Sequence, residues 1–252
     1  MQKDHKSYIV KKVIIAAAAV LAVLAASFGI YAGDYYRADE SVKTFLVSDG
    51  KVRVEKTDYG WFLDGPSEEN AMVFYPGGKV EETAYVPLLH RFAEEGMDVC
   101  LVKMPFRLAF LGINKALDVM AQYDYENWYI GGHSLGGAMG AVCAADHGDE
   151  FRGIVLLAAY ATKELDDDLV EIVICGSEDE VLNRGKTAEG RKFAPGSEGH
   201  YLERVIEGGN HALFGSYGKQ KGDGEAQITA DEQQEETVRT VMDAIGANTE
   251  RK

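Results

Sequence analysis

The sequence predicts an α/β fold: a mostly parallel central sheet with helices on both faces, preceded by an N-terminal transmembrane helix. Three observations predict it. Apolar, β-rich runs follow one another from residue 51 onward, and from the fourth run helical patterns separate most of them. An uncharged run of 18 residues fills positions 13–30. A strand-like run ending near residue 133 passes through a glycine-rich turn straight into an alanine-rich helix.

The front of the chain comes first. The run "VIIAAAAVLAVLAASFGI" is near the length a helix needs to cross a bilayer, and it is apolar all round, which a helix half-facing water is not. Lys3, Lys6, Lys11 and Lys12 precede it; Asp34, Asp39 and Glu40, with one Arg37, follow it. The positive-inside rule then makes residues 1–12 a cytoplasmic tail, 13–33 a signal anchor and 34–252 an extracytoplasmic domain. Tyr8 on one flank and Tyr31, Tyr35 and Tyr36 on the other suit the two interfaces. The rival is a cleaved signal peptide and a secreted domain. Against it, the run is long and Ile30 occupies the position three before the cut that a small residue should fill. No cysteine near the end of the run marks a lipoprotein.

Past the anchor, "DYYRADESVKTFLVSDG" reads as a short helix. The expected strands are "KVRVEK", "GWFLDG", "NAMVFYPGG", "GMDVCLVKM", "NWYIGGH", "FRGIVLLAA", "LVEIVICGS" and "YLERVIEGG". The first runs are hairpin-like and suggest antiparallel strands at one edge. The first helical pattern, Val80–Glu95, places Val80, Ala84, Leu88 and Phe92 four apart, with Pro87 marking a first turn. Further helices are expected at about 112–122, 134–147, 184–193 and 231–245. The last opens on a T-x-x-E capping box, Thr229 and Glu232, before Val238, Val241 and Ile245.

The charge, −15, argues against nucleic-acid binding, which needs a basic face, and against broad adhesion to anionic lipid. It suits a soluble domain. Cys100, Cys143 and Cys175 have no metal-site spacing and read as small core residues.

Gly132-His133-Ser134-Leu135-Gly136 fits G-x-S-x-G between strand and helix. The turn is tight, so positions two before and two after the serine must lack side chains, and the hydroxyl projects above the sheet. A serine hydroxyl needs a base. For a serine on such a turn the acid follows, then the histidine. His200 sits at the start of the last expected strand, the wrong end; His211 follows that strand and is assigned as general base. The acid should end the preceding strand, where Glu178, Asp179 and Glu180 compete; Asp179 is chosen, with Asp166, Asp167 and Asp168 a weaker alternative. Leu135 supplies one backbone N–H for a developing oxyanion. Gly78, in "PGGK", supplies the other, with Lys79 as runner-up. His133 reads as a packing residue; His5, His90 and His147 read as surface residues. Arg107 and Arg184 could meet an anionic substrate, and Asp223, Glu225 and Asp231 could suggest a cation, but their spacing is not that of an EF-hand.

On "FYPGGKVEETAYVPLL", "VKMPFRLAF", "GGHSLGGAMG", "CGSEDEV" and "EGGNHALFGSYGKQKGDGEAQITADEQQ", the chain resembles the α/β-hydrolase superfamily. More narrowly it is similar to a bacterial, often membrane-anchored subgroup loosely related to dienelactone hydrolases. The resemblance implies an α/β-hydrolase fold and the set Ser134, Asp179 and His211. Dienelactone hydrolases use a cysteine nucleophile; the position here is Ser134, so their substrate does not carry over.

The expected function is a serine hydrolase of ester-like acyl bonds, acting on a small-molecule or lipid-like substrate without cofactor or metal. An acyltransferase using the same residues on a cell-envelope acceptor, and a non-catalytic anchored binding module, are the alternatives.

Overall fold

The computed structural model describes residues 2–249. Side chains of 2–7, 9, 10, 248 and 249 lie outside that description, and with them the expectations placed on Lys3, Lys6 and His5. The chain divides into two compact units, residues 1–35 and 36–252.

The first unit is one helix, α1 (Gln2–Gly33), which carries the apolar run and continues N-terminally into the basic segment. Its stretch Lys11–Gly33 is long and apolar enough to cross a membrane, and residues 11–31 are exposed.

In the second unit all eight expected strands form: β1 (Arg53–Lys56), β2 (Gly60–Asp64), β3 (Asn70–Tyr75), β4 (Met97–Val102), β5 (Asn127–His133), β6 (Gly153–Leu157), β7 (Val170–Gly176) and β8 (Tyr201–Ile206). They make one sheet in the order β1-β2-β4-β3-β5-β6-β7-β8. β1 and β2 are antiparallel to their neighbours, at the edge the hairpin-like runs indicated. From β4 to β8 every pairing is parallel. The central strands are buried throughout, as parallel strands covered on both faces must be.

Alternate residues feed two cores. Met72 and Phe74 of β3 face the cluster built with α2 (Val86–Glu94) and α6 (Ala230–Thr249), through Leu88, Phe92, Val241 and Ile245. Ala71, Val73 and Tyr75 face the opposite cluster, where α3 (Lys115–Met120) contributes Ala116 and Val119, and α4 (Leu135–Asp146) contributes Ala141 and Cys143. The remaining helix, α5 (Arg184–Gly190), follows the acid-bearing loop after β7.

Some boundaries differ from expectation. The helix expected from Val80 begins at Val86, one residue before Pro87, whose missing N–H fits only a first turn. Glu82–Tyr85 form a 3₁₀ turn instead, and Val80 makes a bridge with Tyr36. The segment after the anchor is helical only as a 3₁₀ turn, Glu40–Leu46. The capping box closes as expected: Glu232 N–H donates to Thr229 Oγ1 at 3.2 Å, and Thr229 N–H donates to Glu232 Oε2 at 2.8 Å. His90 is not a surface residue; it is 5% exposed, its ring edge-on to Phe45. All three cysteines are free and buried: Cys100 in β4, Cys143 in α4, Cys175 in β7.

Glu171 is the one acidic side chain inside β7. It is buried, Oε2 lacks a hydrogen-bond partner among the described residues, and burial, helped by Glu203, pushes its carboxyl up to about 7. A raised folded value means that the folded state holds a proton the unfolded chain releases. The associated stability is present in acid and is lost as pH rises from the ordinary glutamate range through about 7. Glu171→Gln should therefore melt higher than the native chain, with a gap that widens between pH 5 and pH 8. Thermal unfolding followed across that range checks it; a constant gap would contradict it.

Candidate active site

Between β3 and β5 the chain reverses its direction of travel across the sheet. β3 leads to α2 on one face and β5 to α4 on the other, which makes their carboxyl ends the switch point where open α/β sheets bind ligands. Both glycine motifs lie there. Ser134 joins β5 to α4 with φ 51° and ψ −121°, a conformation L-residues rarely adopt. Its N–H donates to Leu157 O at 2.9 Å, and its carbonyl receives the Ala138 N–H at 2.9 Å. The flanking glycines are required by backbone contact. A Cβ on Gly136 would lie 2.1 Å from Tyr75 O, and one on Gly132 would lie 2.6 Å from Gly137 N. Ser134 is half-buried.

Asp179 and His211 meet. His211 Nδ1–H donates to Asp179 Oδ2 at 2.9 Å, and both side chains are buried. The other carboxylate oxygen receives the N–H groups of Val181 and Leu182, at 2.9 and 2.8 Å. Glu178 instead accepts from Ser177 Oγ, and Glu180 is exposed. Of the three acids in this turn, Asp179 is the one joined to the histidine. Asp166, Asp167 and Asp168 do other work: Asp166 and Asp167 accept backbone N–H groups of Asp168 and Gly196. His200 bonds Asp167 O at the amino end of β8, the opposite end of the strand from His211. His211 Nε2 is buried and has no hydrogen-bond partner among the described residues, Ser134 Oγ included.

Gly78 lies against Leu135: a Cβ there would be 2.9 Å from Leu135 Cδ2. Leu135 opens α4, where first-turn N–H groups have no acceptor within the helix. The Lys79 N–H donates to Arg107 O at 2.9 Å, so the runner-up donor is engaged elsewhere.

Several residues that hold this arrangement carry no motif. Asp223 receives the backbone N–H groups of His211 and Ala212, at 3.3 and 2.9 Å. It anchors a turn and is not arranged as a cation ligand. Gln233, fully buried on α6, accepts the Asn210 N–H and donates to Asn210 O. Arg184 donates to Gly176 O and Ser177 O, so it secures the end of β7 rather than meeting a substrate. The one sequence signal for these supports was a pair of glutamines, Gln233 and Gln234, on a helix face that otherwise reads as core.

A model of the alpha/beta hydrolase family matches residues 71–235, well over half of the chain. The chain belongs to the alpha/beta hydrolase family. Solved structures share the fold at low identity. Est1E from Butyrivibrio proteoclasticus is 13% identical with a TM-score of 0.53, covering 78% of this hydrolase and 100% of its own chain. An esterase/lipase from an uncultured bacterium is 10% identical with a TM-score of 0.55, covering 80% and 87%. Carboxyl esterase 2 from the mycorrhizal fungus Tuber melanosporum is 11% identical with a TM-score of 0.55, covering 84% and 91%. A search of curated proteins finds no match.

For this hydrolase, Asp223→Ala should leave two N–H groups of the histidine turn without their acceptor and cost about 1–3 kcal/mol. Equilibrium urea unfolding measures it. Gly136→Ala, which drives a methyl into the Tyr75 carbonyl, should lower the melting temperature by at least several degrees and abolish activity.

Proposed function

We propose that this hydrolase cleaves ester-like acyl bonds through an acyl-enzyme on Ser134, Asp179 and His211. The observation that carries the reading is the buried Asp179–His211 pair, whose Nε2 is left without a partner, in a chain that also holds Ser134 in a strained strand-to-helix turn. The names of two structural relatives, an esterase/lipase and a carboxyl esterase, point the same way.

The chemistry follows from the roles. Ser134 Oγ attacks the acyl carbonyl while His211 Nε2 takes its proton. Asp179 fixes the tautomer by holding Nδ1–H and stabilises the imidazolium that forms. The carbonyl oxygen, now negative, sits at the N–H groups of Leu135 and Gly78, with the positive end of α4 beneath it. Collapse expels the alcohol, which takes the proton from His211. Water then attacks the acyl-serine and gives a proton to Nε2; collapse releases the acid as Ser134 Oγ leaves and takes that proton back from His211. None of these steps calls on a cofactor or metal.

We further read α1 as a signal anchor, with the basic segment cytoplasmic and the domain from residue 34 outside. The narrower kinship with anchored relatives of dienelactone hydrolases belongs to the same reading. Protease accessibility of the domain in intact cells against lysed cells tests it; digestion only after lysis would reverse the topology.

Ser134→Ala should lose labelling by a fluorophosphonate probe and lower hydrolysis of p-nitrophenyl acetate by about a thousandfold or more. Asp179→Asn should lower kcat by about 10³–10⁴ with the fold intact. Undiminished labelling of Ser134→Ala would overturn the assignment.

A further inference from the structure

Tyr85 and His133 are buried polar side chains that take no step in this reaction, yet they lie between its parts. The Gly77 N–H, in the glycine loop after β3, donates to Tyr85 Oη at 3.1 Å. Tyr85 Oη lies 2.8 Å from His133 Nδ1. The His133 ring in turn lies against the His211 ring, centroids 4.5 Å apart. Gly77 has no room for a side chain here: a Cβ would fall 2.6 Å from Tyr85 Oη and 2.7 Å from His133 Nδ1.

The proton count sets the direction. Tyr85 Oη receives the Gly77 proton and has one proton of its own, and the acceptor it meets is Nδ1 of His133. That makes His133 an Nε2–H tautomer. Burial holds its ring well below the usual imidazole range, with repulsion from His211 adding to the effect, so it stays neutral. A second cation against His211 would oppose the imidazolium that forms when Ser134 gives up its proton. A neutral ring does not.

We propose that Tyr85 and His133 are positioning residues: a hydrogen-bonded relay that pins the oxyanion loop to the serine turn and presents a neutral imidazole face to the base His211. The inference rests on the Ser134–Asp179–His211 reading. It explains why a loop glycine, a tyrosine outside every motif and the histidine inside G-x-S-x-G stand together. Gly77 neighbours Gly78, so loosening the relay displaces an oxyanion donor. Such donors act on the transition state more than on bound substrate, so the loss falls on kcat rather than KM.

The test is steady-state kinetics on p-nitrophenyl acetate for Tyr85→Phe, His133→Phe, His133→Asn and the double Tyr85→Phe/His133→Phe, with ¹⁵N spectra of the histidine rings in the full chain. Tyr85→Phe and His133→Phe should each lower kcat about tenfold or more with KM within about twofold. The double variant should be no worse than His133→Phe alone, since both remove one unit. His133→Asn, whose Oδ1 replaces Nδ1 as acceptor, should recover kcat to within about threefold of the native value. The spectra should show His133 protonated at Nε2 and unprotonated at Nδ1. Tyr85→Phe with native kcat and only a lower melting temperature, multiplying effects in the double variant, or a proton on Nδ1 would each overturn the relay. These outcomes leave the triad standing; hydrolysis by Ser134→Ala would overturn the triad itself.

Discussion

The turn at Ser134 is the constraint on which the site depends. A residue with a side chain is held at φ 51°, and nothing local favours that. It persists because its surroundings over-determine it. Leu157 O holds its N–H, α4 begins immediately after it, and backbone comes so close, from the end of β3 at Gly136 and from α4 at Gly132, that both flanking positions must be glycine. Other non-glycine residues at positive φ, Lys79, Phe106, Arg107 and Ala158, also follow the carboxyl ends of strands β3, β4 and β6. Strain gathers at the carboxyl end of the sheet, and the parallel core underneath supplies the rigidity to bear it.

A second layer holds the Asp179–His211 pair. The acid turn is bound to the histidine turn by backbone, Glu178 N–H donating to Gly209 O at 2.8 Å. Arg184 clamps the end of β7, Gln233 brackets Asn210, and Asp223 receives the first N–H groups of the histidine turn. The segment from 215 to 230, without evident chemistry as sequence, is the strap that brings Asp223 back under His211. The Lys219–Glu225 ion pair on its outside is exposed and contributes little.

The central strands were legible because each is a short apolar run bounded by glycine, proline or charge, and parallel strands buried on both faces leave that signature. The turn at Ser134 and the Asp179–His211 contact were legible because a strand-to-helix glycine turn and the chain order restrict the choices. The start of α2 was not: the apolar spacing of Val80 and Ala84 suits a helix equally well, and only tertiary pairing with Tyr36 draws Val80 out of it. The burial of His90 was hidden because a histidine on an amphipathic helix reads the same on either face. Tyr85, Asp223 and Gln233 act through contacts far apart in sequence, and no spacing announces such contacts.

The three free cysteines, each enclosed in a separate element, have a consequence for where the protein can mature. Burial pushes the Cys100 thiol up to about 12 and the Cys143 thiol up to about 11, far from the thiolate that oxidants attack. Folding of this chain waits on no oxidant and no disulfide isomerase. The same sheet can be assembled in a reducing cytosol or an oxidising exterior, so redox conditions place no demand on which side of a membrane the domain is delivered to.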